Sequence, residues 1–137
     1  MLIDPRAKKV IGQVAVPGWP HEVVFSQDGK TAYVPSYSDA IVGMPGMDGQ
    51  TIDLVDMQTQ KVTQTWDLGR PLRPHMPLLG AGNTLLVSTE LAQAISVIDL
   101  KDGKITGQIP TEARESHVLV QTPDGRKIYR KPSRRKH

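Results

Sequence analysis

The side chains best suited to chemistry in this sequence are His21, His75 and His117. Neutral imidazole is the commonest biological metal ligand, and three imidazoles with an open fourth position form a known catalytic zinc arrangement. Each histidine occupies the same place in one of three related segments, which read G-W-P-H-E-V-V-F, R-P-H-M-P-L-L and E-S-H-V-L-V. A divalent metal held by His21, His75 and His117 is therefore one expectation. The competing expectation is that each imidazole bonds backbone of a neighbouring segment and shapes an entrance. No H-x-x-H pair supplies a preformed metal clip.

Four further residues lie near the histidines in sequence. Glu22 follows His21, and Glu90 ends T-L-L-V-S-T-E; either carboxylate could act as acid–base partner or ligand beside an imidazole. Arg70 and Arg73 flank Pro71 just before His75 and could hold an anionic ligand at the same rim. For both arginines, ordinary surface charge is the preferred expectation. No nucleophile elbow, phosphate loop, dinucleotide fingerprint or haem-attachment motif occurs, so nothing marks the chain as an enzyme.

These residues must be positioned by a repeat. Asp4, Asp56 and Asp99 lie 52 and 43 residues apart, and so do Lys9, Lys61 and Lys104. A period of about 43 residues is the size of one propeller blade. The surplus in the first interval falls on Gly43–Gln50, G-M-P-G-M-D-G-Q, whose glycines and proline mark a loop. Met44, Pro45 and Met47 belong to that loop. Each repeat offers four short strands: one after the histidine (Glu22–Phe25, Val118–Gln121), one after a D-G or G-N turn (Thr31–Pro35, Thr84–Ser88), one ending at the repeat Asp (Ile95–Asp99) and one starting at the repeat Lys (Lys61–Leu68, Lys104–Ile109). Short runs rich in Val, Ile and Thr, bounded by Gly, Asp and Pro, are strand signals. The expected fold is all-β: propeller blades, each a four-stranded antiparallel sheet, in a partial or open ring. The repeats span approximately residues 2–38, 51–90 and 94–130, within one unit over 1–130. The repeat aspartates should bond turn N–H groups, and Trp19 and Trp66 should pack between blades or over a rim.

Composition narrows the functional classes. Absence of cysteine excludes disulfides and thiolate metal sites. No run approaches the roughly 20 apolar residues of a membrane span, and the N-terminal M-L-I-D-P-R-A-K-K-V lacks the apolar core of a signal peptide. The net charge of +3 is uneven: residues 126–137 hold seven of the 17 Lys and Arg, leaving a net of −4 on the other 125 residues. Residues 131–137 read as a basic, disordered tail. Nucleic acid is not an expected partner, because stacking aromatics are scarce and no nucleic-acid module is present.

V-I-D-L-K-D-G-K-I-T-G-Q-I, P-H-E-V-V-F-S-Q-D-G-K-T-A-Y-V and E-S-H-V-L-V-Q-T-P-D-G-R-K-I-Y resemble the YVTN-type β-propeller repeats of bacteria and archaea, over nearly all of residues 2–129. The resemblance implies closed seven-bladed rings, members often exported or surface-associated, and mostly no assigned reaction. Its wider superfamily includes lactonase-like propellers and the haem-binding propeller of cytochrome-type nitrite reductases. This chain departs from the pattern at both ends. It starts almost on the repeat Asp, and Arg130–His137, R-K-P-S-R-R-K-H, replaces the next blade. Strand counting gives one outer strand, two full blades and half of another. The preferred expectation is a fragment completed by remaining blades; self-association of two or three copies into a ring is the alternative. The functional expectation is a binding or scaffolding segment, with a protein partner. The alternative is a lactonase-like or metal-dependent hydrolase at a histidine-lined channel mouth.

Overall fold

In a computed structural model, residues 1–38, 46–113 and 116–130 are described. Met44, Pro45 and the tail 131–137 lie outside the described residues. Among the described residues twelve strands form: β1 (Leu2–Asp4), β2 (Lys9–Gly12), β3 (Val24–Phe25), β4 (Thr31–Pro35), β5 (Thr51–Asp56), β6 (Lys61–Asp67), β7 (Pro74–Gly80), β8 (Thr84–Thr89), β9 (Ala94–Asp99), β10 (Ile105–Pro110), β11 (Leu119–Gln121) and β12 (Ile128–Arg130). A 3-10 turn, Glu90–Ala92, follows β8. Two four-stranded antiparallel sheets run in chain order, β3 to β6 and β7 to β10. Two two-stranded sheets, β1–β2 and β11–β12, flank them. The first half-blade thus has two short outer strands, not one: Leu2–Asp4 still pairs with Lys9–Gly12. No helix among the described residues is long and apolar enough to cross a membrane.

Alternation explains the stacking. Side chains of a strand point to opposite faces in turn. In β8, Leu85 and Val87 join a core with Tyr33, Ile52, Trp66, Leu72 and Ile98, whereas Leu86 joins Ile95 and Leu119 in another. Each complete blade therefore buries both faces, one against each neighbour. A third cluster, Ala32, Val34 and Val55 with Val14 and Val16, joins the first half-blade to the first complete blade. Trp66 is buried between blades as expected, while Trp19 is exposed. The strands that meet across blades include β3, β7 and β11. These first strands form the inner wall, next to the histidines.

The turns follow the repeat chemistry. Asp4 Oδ1 accepts from the N–H groups of Arg6 (2.8 Å) and Ala7 (3.0 Å), Asp56 Oδ1 from Thr59 (2.6 Å) and Asp99 Oδ1 from Lys101 (2.8 Å). Gly29 and Gly125 sit at φ 70° and 69°, in the left-handed region where a β-carbon is disfavoured. Second and third strands pair in the register Thr31–Asp56 and Thr84–Asp99.

Candidate functional site

The repeat brings its histidines together at the ends of the inner strands. The ring centroids of His21 and His75 lie 5.1 Å apart, and those of His75 and His117 4.9 Å apart, the latter pair stacked at 21°. The three imidazoles form a row, with His75 in the middle. His21 and His117 precede β3 and β11, but His75 lies inside β7, one residue past its start, so it is drawn into the wall. It is 7% exposed. Its Nδ1 meets the backbone oxygen of His117 at 3.2 Å, and Ser88 Oγ donates to the same oxygen at 3.3 Å. For His75 this is the backbone contact to a neighbouring blade that the sequence suggested. Among the described residues, no group of three or more His, Asp or Glu is arranged to hold a metal ion.

Beneath the row lies a buried polar hub. Glu90 Oε2 accepts from Tyr37 Oη at 2.8 Å and from Arg73 Nε at 3.2 Å. A second guanidinium nitrogen of Arg73 pairs with Asp48 Oδ1 at 2.9 Å. The guanidinium stacks over the Tyr37 ring, 4.1 Å from its centroid, a favourable cation–π geometry. The Tyr37 ring packs 4.6 Å from His21 and 4.7 Å from His75. Glu90 Oε1 takes no hydrogen bond of good geometry and faces Nε2 of His117 as an ion-pair contact. Arg73 and Glu90 are each 2% exposed.

Local backbone also fixes where Arg73 and Glu90 meet. Arg73 adopts φ 49°, unusual for a residue with a β-carbon. Its N–H and that of Leu72 both donate to the carbonyl of Gly49, at 3.0 and 3.1 Å. Glu90 N–H donates to the Arg73 carbonyl at 3.4 Å. Strain of this kind persists only where surroundings over-determine it.

Electrostatics follow from burial. Burial, reinforced by the His117 and His21 rings, lowers the pKa of His75 from 6.5 to about 4. Burial, with the neighbouring Glu90, raises that of Tyr37, which stays a hydroxyl and donates to Glu90. The His75 shift has a stability consequence. The unfolded chain takes up a proton near pH 6.5, while the folded chain resists it until about pH 4. Stability should therefore be full above pH 6.5, fall as pH drops through that window, and level off below it. His75→Gln should flatten this part of the profile; urea midpoints measured from pH 7.5 to 3.5 would show it.

Several expectations change here. Arg73 is not surface charge but the buried centre of the hub, because Asp48, Glu90 and Tyr37 together solvate its guanidinium. Arg70, three residues earlier, is exposed, as is Glu22, and neither enters the hub. Glu90 does enter it, beside His117 rather than beside the nearest histidine in sequence. The end of the inserted segment is structural rather than only loop: Asp48 pairs with Arg73, Gly49 carries Leu72 and Arg73, and Ser38 Oγ donates to the Met47 carbonyl at 2.8 Å. Tyr37 was not among the sequence candidates. It follows Thr31 by the interval at which Glu90 follows Thr84, so both stand at one repeat position and meet across the blade boundary.

No family model matches the chain. The curated protein Antigen Lp49 of Leptospira interrogans (serogroup Icterohaemorrhagiae, serovar copenhageni, strain Fiocruz L1-130) is 26% identical over 129 residues, which are 93% of this chain and 27% of that protein. Among solved structures, hydrazine synthase of Kuenenia stuttgartiensis superposes with a TM-score of 0.71 at 27% identity, over 92% of this chain and 35% of the other. The dihydro-heme d1 dehydrogenase NirN superposes with a TM-score of 0.63 at 18% identity, over 92% and 26%. The chain thus spans between a quarter and about a third of each of these proteins. Its architecture is that of consecutive β-propeller blades.

Proposed function

We propose that these blades belong to a larger YVTN-type ring and that their role is binding or scaffolding, exercised through the histidine row at the channel mouth. The observation that carries this reading is the way the hub spends its polar groups. Arg73, Glu90, Asp48 and Tyr37 bond to one another, and His75 bonds to backbone. What stays open to solvent in the row is the exposed His21 ring and the half-exposed His117 ring, set over a hub already bonded within itself and suited to recognising a ligand or a protein partner. Such pre-ordering lowers the entropic cost of binding.

One contact favours a second reading. His117 is half-exposed and its Nε2 faces a buried carboxylate, the arrangement of an imidazole positioned as general acid or base. In a lactonase-like hydrolase His117 would activate a water against the lactone carbonyl. Assay of the purified chain against γ- and δ-lactones, with and without added zinc, separates the two. The binding reading expects no turnover above buffer in the natural chain or in His117→Ala. Hydrolysis that falls about 10²–10⁴-fold in His117→Ala, the worth of a general acid–base group, would move the assignment to a hydrolase.

A further inference from the structure

At the end of the blades opposite the histidine row lies a crevice separate from the hub. The inner strands run from the histidines to their turns, so the turns before β4 and β8 stand at that end, and the crevice opens between them. Its volume is about 600 Å³, within the range of small-molecule sites. Ser26, Asp28 and Tyr33 of the first complete blade form one wall, and Leu79, Asn83 and Leu100 of the second form the other. The core that joins these two adjacent blades makes the floor: Tyr33 belongs to it, and Leu79 and Leu100 pack against it.

Tyr33 is the informative group on the first wall. It is 7% exposed and its ring stacks on Trp66 at 5.7 Å, yet its hydroxyl bonds to no other described residue. A polar group at this depth needs a partner, and the crevice is the side from which one can come. Burial, and then Asp28, raise the pKa of Tyr33, so it stays a neutral phenol able to donate or accept. Asp28 stands beside it as a carboxylate, its pKa lowered by the Ser26 hydroxyl and the Lys30 N–H. Oδ1 accepts from these two groups, at 2.7 and 3.1 Å, which leaves Oδ2 for a ligand.

The second wall departs from the repeat. Where the other copies read Q-D-G-K and P-D-G-R, this turn reads G-A-G-N. The change takes away a carboxylate, at Ala81, and a cation, at Asn83. Asn83 adopts φ 61°, a left-handed conformation that asparagine tolerates, and its backbone carbonyl accepts from Leu100 N–H at 3.1 Å. The amide is thereby fixed beside an apolar side chain. Among the described residues that line the crevice none is basic and Asp28 is the one ionised group; Lys30 is exposed and outside the lining.

We propose that this crevice binds an ammonium group carried on a short apolar stem. The head donates to Asp28 Oδ2, to the Tyr33 oxygen and to the side-chain carbonyl of Asn83, and the stem lies on Leu79 and Leu100. One carboxylate, with acceptors around it and no cation in the lining, complements a single positive charge and repels an anion. A free alkylamine and the lysine side chain of a partner protein carry the same chemistry.

The test is a titration of the purified chain with butylammonium chloride, read from the NMR shifts of the Leu79 and Leu100 methyl groups. n-Butanol and sodium butyrate serve as the neutral and anionic matches. Butylammonium should give saturable shifts at both leucines, butanol should bind about 10-fold more weakly, as expected for losing hydrogen bonds to a charged group, and butyrate should give no saturable shift. Tyr33→Phe keeps the ring on Trp66 and breaks no bond within the described chain, so its thermal midpoint should be unchanged while butylammonium binds about 10-fold more weakly. Asp28→Asn should abolish the preference over butanol. Nα-acetyl-lysine methylamide separates the two sources: binding tighter than that of butylammonium assigns a partner's lysine, and weaker binding assigns a free amine. Equal shifts with all three butyl probes, an affinity unchanged in Tyr33→Phe, or no saturable shift at either leucine overturns the proposal.

Discussion

Replacing Arg73 with methionine should lower folding stability by about 3–5 kcal/mol, the cost of removing one partner from a buried ion pair. Methionine keeps much of the aliphatic stem, so the loss isolates the charge. Without the guanidinium, Asp48 and Glu90 remain buried at the same place with no cation between them. Glu90 keeps only the Tyr37 hydroxyl, 2.8 Å from Oε2, and the half-exposed His117. Lysine should not rescue the variant, because a single ammonium cannot bond both carboxylates in the guanidinium's fork and stack on Tyr37 as well. The urea midpoint gives the answer directly. A loss below about 1 kcal/mol, the range of an exposed salt bridge, would mean that Arg73 is solvated and the hub is not sealed.

Gly49→Ala should be among the most damaging single methyl groups at the described residues. A β-carbon there would fall inside the carbonyl group of Ser36, 2.5 Å from its carbon, and 2.7 Å from the Tyr37 oxygen. These are backbone atoms, so no side chain can rotate away. Overpacking of a core typically costs about 1–3 kcal/mol, and a backbone clash belongs at the upper end. The damage should also spread to the site. Gly49 donates to the Tyr37 carbonyl at 2.7 Å and accepts from Leu72 and Arg73, so displacing it moves both residues that hold Glu90. A lowered thermal midpoint, together with a changed acid limb of the stability profile, is the expected result. An alanine variant with natural stability would contradict the close approach on which the Arg73 backbone depends.

Much of the architecture was legible because it repeats. Asp56 and Asp99 end β5 and β9 as the spacing required, and Thr31–Pro35 forms its strand within the expected limits. Strand alternation and turn chemistry are local properties, so period and punctuation carry them. The hub is harder to read because it breaks the repeat. Arg73 stands where the first copy has Trp19, and Glu90 stands where it has Tyr37. Neither substitution is interpretable until two blades lie side by side and the Tyr37 hydroxyl reaches Glu90. Asp48 and Gly49 were hidden for another reason. Glycine and proline in G-M-P-G-M-D-G-Q mark irregular backbone correctly, but irregular backbone can still be packed, and here it carries the arginine. The histidines fall between these cases: their shared position was evident, whereas their depth in the wall depends on strand boundaries that sequence locates only to within a few residues.

The central claim is that successive blades bring their histidines into one row over a buried polar hub, with His75 drawn into the wall. An NMR titration of the imidazole protons tests it most directly. The account predicts that His75 titrates near pH 4 and shows ring-to-ring cross-relaxation with both His21 and His117. A His75 that titrates near 6.5, with no contact to either ring, would contradict it.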